Sequence, residues 1–377
     1  MEVKQYKIST LEECKKIIGI KADWVLCFGA KSLLENREII DNILHTFDSA
    51  EIAFCSTAGE ICQKCGVCEN SMVISAIKFN QTKLQSAIVN IKNFNNSYDA
   101  GKSIAEKLDQ QDLKHIFILS DGSNVNGSEL VKSMNDYFKS SVVITGGLAG
   151  DDTKFEYTLT SLNDHPSRGN IIAFGLYGDH IQITHGTMGG WDSFGLAKTV
   201  TKSTGNELFE IDGKNALELY KEHLGKYSEG LPETALLFPL SVKMNDDGDV
   251  VVRTILSINF EKKSMIFAGD IPEGSKVKFM LANFDRLIDA AGTAAKSSLM
   301  SLSNSGPQLA ILISCVGRKV VLGGRVDEEV DAVIKVLGPE IPTTGFYSYG
   351  EISPLKEGTS CQLHNQTMTI TCFQEIQ

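Results

Sequence analysis

The sequence predicts a mixed α/β (α+β) protein of two domains, in which one strand–helix–strand unit occurs twice, at about residues 23–79 and 309–373. The first observation is that the sequence Gly-Glu-Ile begins at Gly59 and again at Gly350. The second is that each copy follows an apolar run, a segment with helical spacing of apolar residues, and a short strand. The third is that a β-rich run follows each copy. The same order of elements at two places predicts an internal duplication.

Between the two copies, the predicted elements change character near residue 152. Before it, strands alternate with helices, which predicts a parallel or mixed sheet covered by helices. Beyond it, strands follow one another with little helix between them. The turn-forming residues 203–206 mark the boundary, which divides the chain of 377 residues into domains 1–205 and 206–377. The predicted strands of this middle part are 84–91, 115–119, 142–144, 155–162, 171–177, 181–185, 250–258, 264–268 and 276–281.

The composition limits the classes of partner. The formal net charge is −11, which argues against nucleic acid and against anionic membrane surfaces, because both require a positively charged protein face. The first residues do not have the basic and apolar pattern of a signal peptide. No apolar run approaches the length of about 18–20 residues that spans a bilayer. We therefore expect a cytoplasmic protein with no membrane and no nucleic-acid partner.

The duplicated glutamates, Glu60 and Glu351, are candidate ligand-binding residues. In α/β units, ligands bind outside the carboxyl ends of the strands, and both glutamates follow a predicted strand. A glycine directly before each one permits a tight turn or a close approach of the backbone to a ligand. The alternative is that both carboxylates only cap a turn of their own unit.

A glycine-rich loop at 146–152 also follows a predicted strand, and it contains Asp151. It lacks the Gly-Lys-Ser/Thr of a phosphate loop and the spacing of a dinucleotide fingerprint. We predict either a tight turn that brings Asp151 to a pocket, or a plain turn. Asp121 follows another strand beside a glycine, and there a turn stabilised by the aspartate side chain is favoured.

Three cysteines, Cys62, Cys65 and Cys68, have C-x-x-C-x-x-C spacing directly after the first Gly-Glu-Ile. Thiolates so spaced can hold zinc or an iron–sulfur cluster. A fourth ligand is missing nearby, and the second copy of the unit has no counterpart. The alternative, three loop cysteines that are redox-active and free of metal, is the one we favour.

Two histidines, His185 and His364, are candidates for a metal or haem ligand, or for buried hydrogen-bonded side chains. The sequence has no C-x-x-C-H motif, so any haem would be the non-covalent haem b. No nucleophile elbow and no Ser–His–Asp pattern is found. We therefore predict no cofactor and no enzyme activity.

Taken together, the motifs resemble those of the FIST (F-box and intracellular signal transduction) domain family, in the family's order and over nearly the whole chain. The sequences Phe-Cys-Ser-Thr-Ala-Gly-Glu-Ile at 54–61 and Gly-Gly-Leu-Ala-Gly-Asp at 146–151 resemble its N-terminal half. The three cysteines lie outside the family's motifs. The segments that resemble its middle and C-terminal half are 190–191, 209–213, 238–240, 252–253, 315–318, 345–352 and 363–367.

The resemblance implies a sensory input module for small molecules such as amino acids. Some members of the family bind haem and sense nitric oxide, and pass the signal to a histidine kinase or a cyclic-di-GMP enzyme. Because no output region is recognised in this chain, we expect a stand-alone sensor that acts through a separate signalling protein of that kind, or through a chemoreceptor-type output. The alternatives are a haem- or metal-dependent gas or redox sensor, and an enzyme of unrecognised type.

The hypothesis of a small-molecule sensor predicts a polar pocket at strand carboxyl ends, between the two halves of the chain. An amino-acid-like ligand needs a carboxylate for its amine and a guanidinium for its carboxylate, which arginine binds in a two-pronged manner. Tyrosine rings would supply apolar walls. The predicted lining residues are Ser56, Thr57, Glu60, Asp151, Arg253, Tyr347, Tyr349, Glu351, His364 and Asn365.

Overall fold

The computed structural model describes residues 1–139, 141–244, 249–302 and 306–376. Its body consists of three similar units, termed repeats 1, 2 and 3, and a β-rich subdomain is inserted into the third. Each repeat has an outer strand, a central strand, a second strand parallel to the central one, a crossing segment and a return strand. Helices connect the outer strand to the central strand and the central strand to the second strand.

The elements of the three repeats follow in chain order. Repeat 1 contains β1 (Glu2–Ile8), α1 (Leu11–Cys14), β2 (Trp24–Gly29), α2 (Lys31–Leu34), α3 (Arg37–Thr46), β3 (Glu51–Ser56), β4 (Glu60–Cys62), β5 (Gly66–Cys68) and β6 (Met72–Lys78). Repeat 2 contains β7 (Lys83–Asn90), α4 (Ser97–Ala105), β8 (Leu113–Ser120), α5 (Gly127–Phe138), β9 (Val143–Leu148), β10 (Thr160–Leu162) and β11 (Asn170–Tyr177). Repeat 3 begins with β12 (Ile181–Met188) and resumes after the inserted subdomain.

The inserted subdomain separates β12 from the rest of repeat 3. It contains β13 (Asp192–Thr204), β14 (Glu207–Ile211), β15 (Lys214–Asn215), α6 (Ala216–Leu224), β16 (Leu240–Lys243), β17 (Val250–Arg253), β18 (Ile255–Asn259), β19 (Ser264–Phe267) and β20 (Lys276–Leu281). Repeat 3 continues with α7 (Phe284–Leu299), β21 (Leu309–Cys315), α8 (Val316–Leu322), α9 (Val326–Leu337), β22 (Thr343–Ser348), β23 (Gly350–Pro354), β24 (Cys361–His364) and β25 (Met368–Glu375). Short 3₁₀ helices are Ile91–Asn93, Gly225–Gly230, Glu233–Leu237 and Gly323–Arg325.

Strand pairing is the same in each repeat. The central and second strands pair in parallel as β2 with β3, β8 with β9 and β21 with β22. The return strands β6, β11 and β25 pair antiparallel with both the central and the outer strand. The predicted duplication is therefore confirmed, and the structure adds a third copy between the two that the sequence shows.

The repeats exchange their crossing segments in a ring. The β4–β5 hairpin of repeat 1 pairs with β22 of repeat 3, and the β23–β24 hairpin of repeat 3 pairs with β9 of repeat 2. Strand β10 of repeat 2 pairs with β3 of repeat 1. The loops that follow the three second strands therefore meet. Their backbone hydrogen bonds run from Gly150 N–H to Ser56 O (2.8 Å), from Ala58 N–H to Tyr347 O (2.8 Å) and from Tyr349 N–H to Leu148 O (3.2 Å).

The core explains why the repeats form one body. The central strands β2 and β21 are buried along their whole length, as expected for parallel strands covered on both faces. Trp24 of repeat 1 is fully buried against Phe117 and Phe174 of repeat 2 and against Phe373 of repeat 3. Such an aromatic side chain buries a large apolar area, so this contact stabilises all three repeats together.

The inserted subdomain has its own core. Its sheet, with the path β17-β16-β20-β13-β14-β19-β18, packs against α6, and Tyr220 is buried in the contact. Residue 205 lies at the turn between β13 and β14 of this sheet. The division into 1–205 and 206–377 stays a prediction.

One predicted strand is shorter than expected. The sequence predicts a strand at 155–162, but only Thr160–Leu162 forms one. Phe155 has a φ of 53°, in the left-handed region, which a residue within a strand cannot adopt. Residues 152–159 instead form a loop that contributes residues to the site described below. Among the described helices, none has the length and apolar character needed to cross a membrane.

Candidate functional site

The duplicated glutamates occupy equivalent places, as predicted. The Glu60 carboxylate accepts hydrogen bonds from the hydroxyls of Thr57 and Ser71, each at 2.6 Å. The Glu351 carboxylate accepts from the hydroxyls of Ser348 at 2.6 Å and Thr367 at 2.9 Å. In both repeats one hydroxyl lies three residues before the glutamate and the other on the residue before the return strand. The shared Gly-Glu-Ile thus joins the second strand to the return strand.

Both carboxyl groups are buried, and burial changes their acidity. It raises the pKa of Glu60 to about 7 and that of Glu351 to about 8, although the hydrogen bonds act in the opposite direction. Glu351 lies inside the protein and lines neither of the two clefts described below. Its role in ligand binding stays a prediction, while the hydrogen bonds show what it does structurally.

Two further predicted residues, Ser56 and Tyr347, are part of the framework. The Ser56 hydroxyl accepts a hydrogen bond from the backbone N–H of Leu159 at 2.9 Å. The Tyr347 hydroxyl donates to the Glu329 carboxylate at 2.9 Å. Both side chains are fully buried.

Arg253, His364 and Asn365 lie where the inserted subdomain meets repeat 3, and not on a shared pocket with the glutamates. The Arg253 guanidinium donates to the carbonyl of Leu363 at 2.8 Å, and His364 is hydrogen-bonded to the carbonyl of Ser353 at 2.9 Å. Arg253 therefore has backbone partners and attaches the inserted sheet to β24. Asn365 is buried, and its side-chain amide has no hydrogen-bond partner among the described residues.

The larger cleft, of about 620 Å³, lies between repeat 2 and the inserted subdomain. It is at the carboxyl ends of β8, β9 and β22, where α/β units bind ligands. Of the predicted residues, Tyr349 lines it. The lining segments are 122–126, 155–157, 256–257 and 267–269, together with Leu148, Arg168, Asn206 and Tyr349.

A pair of stacked rings forms one wall of this cleft. The rings of Phe155 and Tyr349 are 4.6 Å apart between centroids and nearly parallel. The Tyr349 hydroxyl accepts a hydrogen bond from the backbone N–H of Phe155 at 3.1 Å, which holds Phe155 in its left-handed conformation. Phe155 is 44% exposed although it is a large apolar residue. A strained backbone and an exposed ring are typical of a ligand-binding loop.

A guanidinium stands beside this wall. Arg168 lies over the ring of Tyr157, with its Cζ atom 3.6 Å from the ring centroid, and Lys31 lies 3.8 Å from the same centroid. Within the described residues, Arg168 forms no ion pair with a carboxylate. Its charge is therefore held in place by an aromatic ring and is available to an anion.

The smaller cleft, of about 190 Å³, lies at the junction of the three second-strand loops. It contains three predicted residues, Thr57, Glu60 and Asp151. Two of its three lysines are already paired, because Lys31 contacts Asp151 at 2.6 Å and Lys319 contacts Glu69 at 2.7 Å. Asp121 lies outside it and accepts hydrogen bonds from the backbone N–H groups of residues 123 and 124, as the turn interpretation predicts.

The three cysteines lie on the β4–β5 hairpin. Cys62 and Cys65 form a disulfide, and Cys68 is a free thiol. The three sulfur atoms lie within 4.8 Å of one another, which would suit three ligands of one metal ion if the disulfide were reduced. Whether this cluster holds metal stays a prediction. Neither His185 nor His364 lines either cleft, and whether either residue binds haem stays a prediction.

Sequence reasoning missed Phe155, Tyr157 and Arg168. They lie on loops that the inserted subdomain and most of repeat 3 separate from Tyr349 in the chain, so no local spacing connects them. The available signal was the pair of aromatic residues directly after the glycine-rich loop at 146–152, which was assigned to a strand.

Comparisons with known proteins agree with the fold. The FIST N domain model matches residues 23–214, and the FIST C domain model matches residues 216–354. The transition between the two matches falls inside the inserted subdomain, next to β15. An uncharacterized protein of Methanocaldococcus jannaschii, MJ1623, is 22% identical over a 353-residue alignment that covers 86% of this chain. The match covers 66% of the length of that relative.

Proposed function

The chain belongs to the FIST family, and we propose that it is a sensor that binds a small carboxylate-bearing metabolite, such as an amino acid, in the larger cleft. FIST domains are associated with signal-transduction sensing. The observation that carries the proposal is the position of Arg168, a guanidinium without a carboxylate partner among the described residues, beside the stacked rings of Phe155 and Tyr349.

The chemistry of the lining favours such a ligand. A guanidinium binds a carboxylate through two parallel hydrogen bonds, which fixes orientation as well as charge. The stacked rings provide an apolar surface for the remainder of the ligand. Glu156 is the acidic residue of the lining, and we propose that its carboxylate, which pairs with Lys31 at 3.0 Å, also accepts the amine of a zwitterion.

The place of the cleft supports a role in signalling. One wall comes from repeat 2 and the other from the inserted subdomain, and Asn126 bridges them by donating to Asp270 at 3.0 Å. A ligand that contacts both walls would favour one relative position of the two parts. We propose that a separate signalling protein responds to this position, such as a histidine kinase, a cyclic-di-GMP enzyme or a chemoreceptor-type output. Binding rather than catalysis is favoured because the lining includes neither histidine nor cysteine.

The test begins with a thermal-shift screen of amino acids and other small carboxylates on the full chain. For the metabolite that stabilises the protein most, we expect Arg168→Gln to weaken binding about ten- to a hundredfold. The reason is that a hydrogen bond to a charged group contributes about 1.5–3 kcal/mol. Calorimetric titration measures the loss.

Arg325→Gln is the matched control, because Arg325 is an exposed arginine that pairs with Glu328 and Asp285 away from the cleft. It should leave the affinity unchanged. If Arg168→Gln binds like the wild type while Lys319→Gln does not, the ligand occupies the smaller cleft and the proposal is wrong.

A further inference from the structure

The β4–β5 hairpin brings three sulfur atoms together in a way that the proposed sensory function does not use. The Sγ atoms of Cys62, Cys65 and Cys68 all lie within 4.8 Å of one another. Cys62 and Cys65 are joined as a disulfide, and the Cys68 thiol is free beside them. The same spacing of three residues separates Cys65 from each of the other two. Either partner can therefore form a short loop with it.

The three cysteines differ in their exposure to solvent. Cys62 and Cys68 are buried, at 6% and 5% exposure, whereas Cys65 is only half-buried at the turn of the hairpin. A small thiol or disulfide from solvent therefore reaches Cys65 first. The remaining free cysteines, Cys14, Cys27, Cys55, Cys315, Cys361 and Cys372, are buried.

The surroundings set the reactivity of Cys68. Burial raises the pKa of its thiol, the Lys7 ammonium beside it acts in the opposite direction, and the Glu60 and Asp327 carboxylates add to the effect of burial. The thiolate is the nucleophile in disulfide exchange, so attack by Cys68 becomes faster as the pH rises.

We propose that the hairpin is a thiol–disulfide exchange site, in which Cys65 pairs with either Cys62 or Cys68 and reacts with low-molecular-weight thiols and disulfides. In the internal exchange, the Cys68 thiolate attacks Sγ of Cys65, and the bond between Cys62 and Cys65 breaks. Cys62 leaves as a thiolate and takes up the proton that Cys68 released. No electrons are gained or lost.

When the hairpin is reduced, a small disulfide oxidises it by the same type of exchange. The Cys65 thiolate attacks it, one small thiolate leaves, and a mixed disulfide forms on Cys65. The thiolate of Cys68 or Cys62 then attacks Sγ of Cys65 and releases the second small thiolate. Two protein thiols are oxidised and one small disulfide is reduced to two thiols. Cys68 is followed by Glu69 and Asn70, which line the smaller cleft, so the exchange takes place next to that cleft.

The sequence provides a direct readout of the two linkages, because Lys64 lies between Cys62 and Cys65. Trypsin cleaves after Lys64 and after Lys78, so Cys62 falls in the peptide 38–64 and the other two cysteines fall in 65–78. A bond between Cys62 and Cys65 holds these peptides together. A bond between Cys65 and Cys68 stays inside 65–78 and leaves Cys62 open to alkylation.

The oxidised full chain is incubated at pH values from about 6 to about 9, across the ordinary pKa of a thiol. It is then quenched with acid, alkylated, digested and analysed by mass spectrometry. We expect both linkages, with the second appearing faster at higher pH. A single linkage between Cys62 and Cys65 at every pH would overturn the proposal. Stoichiometric zinc or iron in the purified protein, with all three sulfurs protected, would overturn it as well.

A second experiment uses variants, with folding checked by circular dichroism. Reduced Cys62→Ser treated with oxidised glutathione should form the bond between Cys65 and Cys68 and retain no glutathione. The matched double variant Cys62→Ser/Cys68→Ser should retain glutathione on Cys65. If Cys62→Ser also keeps the adduct, Cys68 cannot reach Cys65 and the exchange does not occur. None of these results depends on whether the larger cleft binds a metabolite.

Discussion

Replacing Arg318 with methionine, with Glu329 left in place, is expected to lower the free energy of unfolding by about 3–5 kcal/mol. Both side chains are fully buried, and the guanidinium Nε donates to the Glu329 carboxylate at 2.6 Å. The same guanidinium donates to the carbonyl oxygens of Leu287 at 2.7 Å, Gln366 at 3.3 Å and Gly189. Without it, a buried carboxylate loses its counter-charge, and three carbonyl groups lose a donor.

This cluster connects several parts of repeat 3, which is why a large effect is expected. The Glu329 carboxylate also accepts hydrogen bonds from the hydroxyls of Ser314 at 3.1 Å and Tyr347 at 2.9 Å. The helices α7, α8 and α9 and the strands β21 and β22 therefore meet at one ion pair. Urea denaturation, followed by circular dichroism, measures the loss of stability.

Two further variants test whether the unpaired buried charge causes the loss of stability. The double variant Arg318→Met/Glu329→Leu removes both charges, and it should lose less stability than the sum of the two single replacements, because no unpaired charge remains. Arg325→Gln is the exposed counterpart and should leave the free energy of unfolding nearly unchanged. Strictly additive losses in the double variant would show that the pair is not coupled.

Replacing Glu351 with glutamine is expected to remove much of the decline in stability that the wild type shows as the pH rises. Burial raises the pKa of the folded carboxyl to about 8, from an ordinary value of 4.5. Between these pH values the folded state binds more protons than the unfolded state, so the free energy of unfolding falls as the pH increases. Each pKa unit corresponds to about 1.4 kcal/mol.

Glutamine imitates the neutral acid. Its amide can donate to the Ser348 hydroxyl and accept from Thr367, the two side chains that bind the carboxylate. The variant should match the wild type near pH 5 and should be more stable near pH 8 by on the order of several kcal/mol. Glu60→Gln should act in the same direction over a narrower range, because the raised pKa of Glu60 is about 7.

Denaturant titrations at a series of pH values test this prediction. Glu328→Gln serves as the control, because Glu328 is exposed and the Arg325 guanidinium lowers its pKa, so it titrates below this pH range. A Glu351→Gln profile that runs parallel to the wild type between pH 5 and 8 would show that burial does not raise the pKa of the Glu351 carboxyl in the folded state.

The duplication was predictable because its key contact is local. A glutamate after glycine meets a hydroxyl three residues earlier, at Thr57 and at Ser348, and the chain then returns along the sheet. Repeat 2 was not recognised from the sequence as a further copy, because its loop 149–159 makes different contacts. There Asp151 forms an ion pair with Lys31 of repeat 1, and the Gly-Glu-Ile pattern is absent.

Neither the insertion nor the larger cleft could be predicted from the sequence, because both depend on contacts between distant parts of the chain. Strands β13 to β20 have the usual alternation of apolar and polar residues. Nothing in their sequence shows that β12, before the insertion, and α7, after it, belong to the same repeat. Tyr349 was identified because it adjoins the repeated motif. Phe155 stacks on it and Arg168 lines the same cleft only because repeats 2 and 3 exchange crossing segments. Such long-range pairing has no local pattern.

Hydrogen–deuterium exchange of the full chain, with and without the metabolite found by the thermal-shift screen, tests the central claim most directly. A ligand in the larger cleft contacts repeat 2 and the inserted subdomain together. We predict slower exchange in segments 122–126 and 155–157 and, at the same time, in 256–257 and 267–269. Protection confined to segments 57–60 and 69–70 of the smaller cleft would contradict the account.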